Sequence, residues 1–184
     1  MKRILSLCLA LTLTVSAFAQ LSKIPQRLEI VEMEVNDGEI NMEVFNMPDA
    51  DGGAHYYLTV GRLGIGDDII QFNIDPVSEL FIPLGDTLAD AIGKLQQIQL
   101  IGKAPVGTSD DIDGCIAVGI PGDNLEKVKV THEKPFLTHS LGFSVERFTA
   151  NGDRYVRATY IPRADFNSLI TSTKFYQKIH PKEP

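Results

Sequence analysis

The chain has 184 residues, 43% of them hydrophobic and 22% charged, with a net charge of −7 and no tryptophan. An acidic sum of this size argues against nucleic acid as a partner, because phosphate contacts need basic side chains. The charge is uneven: residues 20–126 carry 5 basic and 19 acidic side chains (−14), and residues 127–184 carry 10 and 5 (+5). Either the two segments lie side by side when folded, or one face is charged to meet a cationic ligand or partner.

The chain opens with MKRILSLCLALTLTVSAFAQ. Lys2 and Arg3 precede an apolar run, and Ala17 and Ala19 put small side chains before Gln20. This predicts a secretory signal over residues 1–19, cleaved on export to the periplasm or cell surface and too short to stay as a membrane anchor. The processed chain, residues 20–184, reads as one β-rich domain that is not an integral membrane protein. A chain of that length buries roughly two-thirds of its unfolded surface. Cys115 is then the only cysteine. No internal disulfide can form, and its CIAVGI context reads as a small buried hydrophobe.

LEIVEMEVNDGEINMEVF (28–45) alternates apolar and polar residues around Asp37-Gly38, the signature of a tight hairpin. A two-residue loop pairs Val35 with Ile40, Met33 with Met42 and Val31 with Val44. Glu32, Glu34 and Glu43 then share the other face, with Glu32 opposite Glu43. Like charges across a rung repel, so this face is either well solvated or a ligand-binding candidate for cations.

PDADGG (48–53) and DDIDGC (110–115) each carry Asp-x-Asp-Gly. Neither completes a calcium loop, because the closing glutamate is missing from both. Both therefore read as turns, and no metal site is assigned. Asp110, Asp111 and Asp113 are the residues a cation would use if one bound. GRLGIGDD (61–68) is followed by acids and a strand-like run, so it reads as a glycine turn and not a phosphate cradle.

Further strands are predicted at 56–63, 68–74, 79–82, 98–101, 115–120 and 126–132, with 104–114 as a loop. GDTLADAIGKLQQI (85–98) is helical, with Asp86 or Thr87 as N-cap and Leu88, Ala91, Ile92 and Leu95 in one stripe. A second, weaker helix is expected at 163–173. FSVERFTANGDRYVRATYI (143–161) is a second hairpin, turning at Asn151-Gly152. The two-residue rule sets Phe143 against Tyr160, Val145 against Ala158, Glu146 against Arg157 and Phe148 against Tyr155. Phe148 and Tyr155 form the second ligand-binding candidate. LFIPLGD (80–86) and TYIPRAD (159–165) echo each other at a strand-to-helix junction. Internal duplication of about 55–102 and 140–175 is one reading. The common habit of proline opening a helix is the other.

The histidines carry no metal-ligand spacing, and no nucleophile motif is present, so neither a catalytic residue nor a cofactor is assigned. His132 is in phase with Val128 and Val130 and reads as a satisfied, semi-buried histidine. The SAFAQ cleavage site, the lone processed cysteine and the YLTVGRLGIG…LFIPLGDTL run resemble small exported families of unknown function from Gram-negative gut anaerobes. That resemblance implies an exported location and a β-rich fold.

The expected fold is α+β, predominantly antiparallel sheet, as a sandwich or a partly closed barrel with one or two short helices. The expected function is non-enzymatic binding of a glycan, an envelope component or a protein, with no nucleic acid. A hydrolase built from dispersed His and Asp residues is one alternative. A structural or assembly subunit of the cell envelope is the other.

Overall fold

The computed structural model describes residues 28–35, 40–48, 53, 55–62, 79–118, 125–148, 151–152 and 154–182. Residues 1–19, the Asp37-Gly38 turn, the expected strand at 68–74 and most of PDADGG lie outside these. Among the described residues there are eight strands: β1 (Leu28–Val35), β2 (Ile40–Asn46), β3 (Tyr56–Arg62), β4 (Glu79–Gly85), β5 (Ser109–Val118), β6 (Leu125–Glu133), β7 (Ser140–Phe148) and β8 (Arg154–Pro162). Helix α1 (Leu88–Lys103) follows β4, and helix α2 (Arg163–Ile179) follows β8.

The strands pair antiparallel in chain order from β1 to β8. The seam between β4 and β5 is short, with Glu79–Phe81 against Ile116–Val118. The result is two four-stranded antiparallel sheets, β1–β4 and β5–β8, which are not closed into a barrel. The architecture is α+β with mostly antiparallel strands. The element order is four strands and a helix, twice over. Ile82 and Ile161, from the two echoing segments, are both fully buried near the end of the fourth strand of their sheet.

One hydrophobic core runs through both sheets. Met42, Leu58, Val128, Val130 and Leu141 are fully buried within it. Helix α1 packs on β3, β4, β6 and β7, α2 packs on β1 and β8, and the helices pack on each other. Thr87 is the N-cap of α1: its Oγ1 accepts from the Asp90 N–H at 3.1 Å and donates to the Asp90 carboxylate at 2.7 Å. Residues 98–101, expected as a strand, are instead the end of α1. Ile98 is buried and extends the Leu88–Ala91–Leu95 stripe, and a short apolar run alone does not separate strand from helix. Helix α2 likewise runs past 173, where the half-buried Tyr176 continues the buried stripe of Phe166, Leu169, Ile170 and Thr173. The helices are 16 and 17 residues long. Arg163 ties them together by donating from Nη1 to the Gly102 carbonyl at 2.7 Å, an acceptor left over at the end of α1.

The β1–β2 hairpin has the expected register: Val35 opposite Ile40, Met33 opposite Met42, Val31 opposite Val44. A bulge near Glu29 then shifts it by one. The β7–β8 hairpin does not follow its expected register. Phe143 lies opposite Thr159, Val145 opposite Arg157, Glu146 opposite Val156 and Phe148 opposite Arg154. The pairing ends at Phe148 opposite Arg154, so Asn151-Gly152 is not a two-residue loop between the strands. The slip sets Leu141 opposite Ile161, both fully buried. Burial of one face decides register, because a shift of one residue turns every side chain over.

The DDIDGC stretch is not a chain reversal. Strand β5 already begins at Ser109, inside the segment expected as a loop. Its register against β6 shifts between Ile112 and Cys115, and Gly114 sits there at φ +77°. Asp-Gly makes a β-bulge here, because glycine takes the left-handed conformation that the extra residue requires.

Replacing Leu95, fully buried between helix and sheet, with alanine should lower stability by about 2–5 kcal/mol in denaturant unfolding. An unchanged midpoint would contradict the packing of α1 on the sheets.

Candidate functional site

The first acidic candidates part company in the fold. Glu32 lies opposite Glu43, and Glu34 opposite Asn41. Glu32 and Glu34 are exposed, whereas Glu43 is buried at 8% exposure between Glu32 and Thr59. Asn41 Nδ2 donates to Glu32 Oε1 at 2.7 Å, which settles one of these carboxylates without a cation. On the same sheet Phe45, Tyr57 and Phe81 make a ring cluster with centroids 4.9–5.9 Å apart. Burial, and then the Asp86 carboxylate, push the Tyr57 hydroxyl pKa up.

Asp110, Asp111 and Asp113 are exposed on β5. Asp110 Oδ1 accepts from the Asp111 N–H at 2.9 Å. Lys127 Nζ reaches Asp111 Oδ2 at 3.5 Å and Asp113 Oδ1 at 3.4 Å. The two carboxylates, Asp113 foremost, raise the Lys127 pKa. A lysine from β6 thus stands where a bound cation would. Among the described residues no three His, Cys, Asp or Glu side chains gather into a metal-binding group. Tyr155 lies opposite Arg147 and not Phe148, so the expected aromatic rung does not form. Cys115 is buried, with Sγ 3.5 Å from the Ile112 carbonyl.

The histidines hold a contact that sequence spacing did not reveal. His132 is 2% exposed at the inner end of β6. Its Nδ1 lies 2.6 Å from the Ala104 carbonyl, and its Nε2 lies 2.8 Å from His139 Nδ1. A carbonyl only accepts, so His132 carries its proton on Nδ1. In the neutral pair, His139 then donates from its own Nδ1. The backbone carbonyl of His139 accepts from the Arg163 N–H at 2.9 Å. This chain joins the end of α1, the β6–β7 loop and the start of α2. His132 meets a carbonyl and an imidazole, not the carboxylate and nucleophile that a hydrolase would need. Knowledge of the β6–β7 register, which closes on Glu133 opposite Ser140, would have brought His132 and His139 together.

The outer face of β5–β8 points away from the core. The rungs Lys129–Ser144–Ala158 and Thr131–Gly142–Tyr160 run across it. Tyr160 is 41% exposed, and Val156 is 57% exposed. The Tyr160 ring lies against bare backbone: a Cβ at Gly142 would come within 3.1 Å of Tyr160 Cε1. Arg154 is ion-paired with Glu146, and Lys127 with the two aspartates. Lys129 and Lys134 are exposed and take part in no ion pair among the described residues.

No protein-family model matches the chain, and no curated protein matches it. Among solved structures it is similar to WHY1 from Arabidopsis thaliana, at 16% identity over 82% of this chain and 90% of that chain, with a TM-score of 0.41. That likeness is too distant to transfer a site or a residue. The expected exported, secreted or periplasmic binding domain, with its hydrolase and envelope-subunit alternatives, and the exclusion of nucleic acid are not retained beside this neighbour. The physical fault lay in the charge argument. A net −7 is a sum over the chain, while recognition depends on where the cations stand.

Burial, then Lys134, Arg163 and His132, lower the His139 pKa below its ordinary value of 6.5. The unfolded chain therefore takes up this proton more readily than the folded one. The stabilising contribution is complete above pH 6.5 and is lost as pH falls through 6.5 toward the lower folded value. Melting temperature should drop between about pH 7.5 and pH 5.5, and less steeply in His139→Gln. An equal slope in both proteins would rule out this origin. Millimolar calcium should leave the melting temperature unchanged, since Lys127 already holds Asp111 and Asp113. A rise of several degrees would show a cation site there.

Proposed function

We propose that the chain binds single-stranded nucleic acid on the outer face of β6–β8. The observation that carries this reading is Tyr160, whose ring is held against Gly142 with 41% of the residue exposed, one rung from Lys129. Single strands are held by aromatic side chains that stack on bases, beside cations that meet the backbone. An open sheet face suits that task, because unpaired bases can spread across it. It suits a duplex poorly. Reading the major groove takes a helix or a two-stranded ribbon that can enter it, and both helices here pack against the sheets. Lys129 and Lys134 supply the cations at this end of the face. The segment from 127 onward carries +5 within a chain of −7, so the acidic total does not describe this region.

The test is fluorescence anisotropy of a labelled oligothymidylate of about 12 nucleotides. Tyr160→Ala should weaken binding about tenfold, within the range for loss of one base–aromatic stack. Lys129→Ala should flatten the dependence of log K on log salt by about 0.7, the share of one phosphate contact on a single strand. Absence of binding at low salt, or binding indifferent to both substitutions, would contradict the proposal.

A further inference from the structure

We infer that Phe136, at the tip of the β6–β7 loop, is a second base-stacking side chain that continues the Tyr160 track. The inference rests on the single-strand reading above and adds a residue and a direction to it. Phe136 is fully exposed and its neighbour Leu137 is 89% exposed. Phe136 also sits at φ +56°, the one positive φ outside glycine among the described residues. A bulky residue rarely takes that conformation. Loop tips ordinarily carry small or polar residues, so an aromatic side chain held outward in a strained backbone points to a contact made by that side chain.

The loop is fixed and not frayed. The Thr138 N–H donates to the Pro135 carbonyl at 3.2 Å. His139 is anchored on His132, and the Arg163 N–H donates to the His139 carbonyl. Little ordering is then left to be done on binding. The loop also lies in line with the proposed face. The last paired rung, Glu133–Ser140–Pro162, is two residues beyond Thr131–Gly142–Tyr160, roughly 7 Å along the strands. Lys134 is the first residue past that rung, and Phe136 follows two later. Lys129, Tyr160, Lys134 and Phe136 thus bring two cations and two rings to one end of the sheet, with the Glu133 carboxylate beside Gly142 between them, and cations with stacking rings are what hold a single strand. An anionic membrane would use the exposed Phe136, Leu137 and Lys134 but would have no use for Tyr160 on the sheet face. For that reason the nucleic-acid strand is the occupant argued.

The chain lacks tryptophan, so Phe136→Trp places a single fluorescent reporter at the loop tip of the full-length protein. Oligothymidylate should quench its emission over the same concentrations that raise the anisotropy of the labelled strand. Phe136→Ala should weaken binding about fivefold or more while leaving the salt slope unchanged, because the lost contact is uncharged. If the strand binds but the reporter is silent and Phe136→Ala is neutral, the inference fails and the single-strand reading survives. If the unsubstituted protein binds no strand, the reading itself fails and the inference falls with it. A blue-shifted emission with phosphatidylserine vesicles, and no response to the strand, would assign Phe136 to a membrane surface and overturn the inference.

Discussion

An open run of eight strands has two faces, and only one of them can be buried by two helices. That constraint organises the molecule. Each helix follows the fourth strand of its sheet, and both fold back onto the same core, where Leu88, Leu95, Phe166 and Leu169 are fully buried. The apolar face of the sheets must meet these stripes, and this fixes which side of every strand looks inward. The outer face of β6–β8 follows from it, because Lys127, Lys129 and Tyr160 alternate with the buried Val128, Val130 and Ile161. His132 is the polar residue that this alternation forces inside. Its two nitrogens are satisfied by the Ala104 carbonyl and by His139, as a buried polar group requires.

The parts of the fold legible in the sequence are those where one local rule decides. In β1–β2, the Asp37-Gly38 turn signal and a clean apolar alternation point the same way, and the expected rungs are the observed ones. In β7–β8 they conflict. Asn151-Gly152 points to a two-residue loop, but burial of Ile161 against Leu141 selects a register one residue away. Tertiary burial overrides turn chemistry there. The same competition carries α1 past Ile98 to Lys103, where local pattern favoured a strand over 98–101. At DDIDGC, composition signals Asp and Gly but cannot tell a turn from a bulge. Pairing with β6 makes that distinction.

The site was less legible than the fold because its residues are joined by pairing and not by spacing. Tyr160 rests on Gly142 only in the observed register. In the expected one it would face Phe143 and belong to the other side of the sheet. His132 and His139 are seven apart in sequence, and nothing local says that their rings meet. The acidic candidates present the opposite case. Their clustering in sequence was plain, yet Asn41 and Lys127 already engage Glu32, Asp111 and Asp113. Charge has meaning at the scale of neighbouring side chains, where the Debye length is about 8 Å under physiological salt. The chain total averages over far greater distances.

Amide hydrogen exchange, followed by mass spectrometry with and without a saturating oligothymidylate, would locate the bound strand on the molecule. Peptides covering β6, the 133–139 loop, β7 and β8 should exchange more slowly in its presence, while α1 and the first sheet keep their free-state rates. Protection confined to β1–β4 or to the helices, or no protection anywhere at saturation, would contradict the assignment of the outer β6–β8 face.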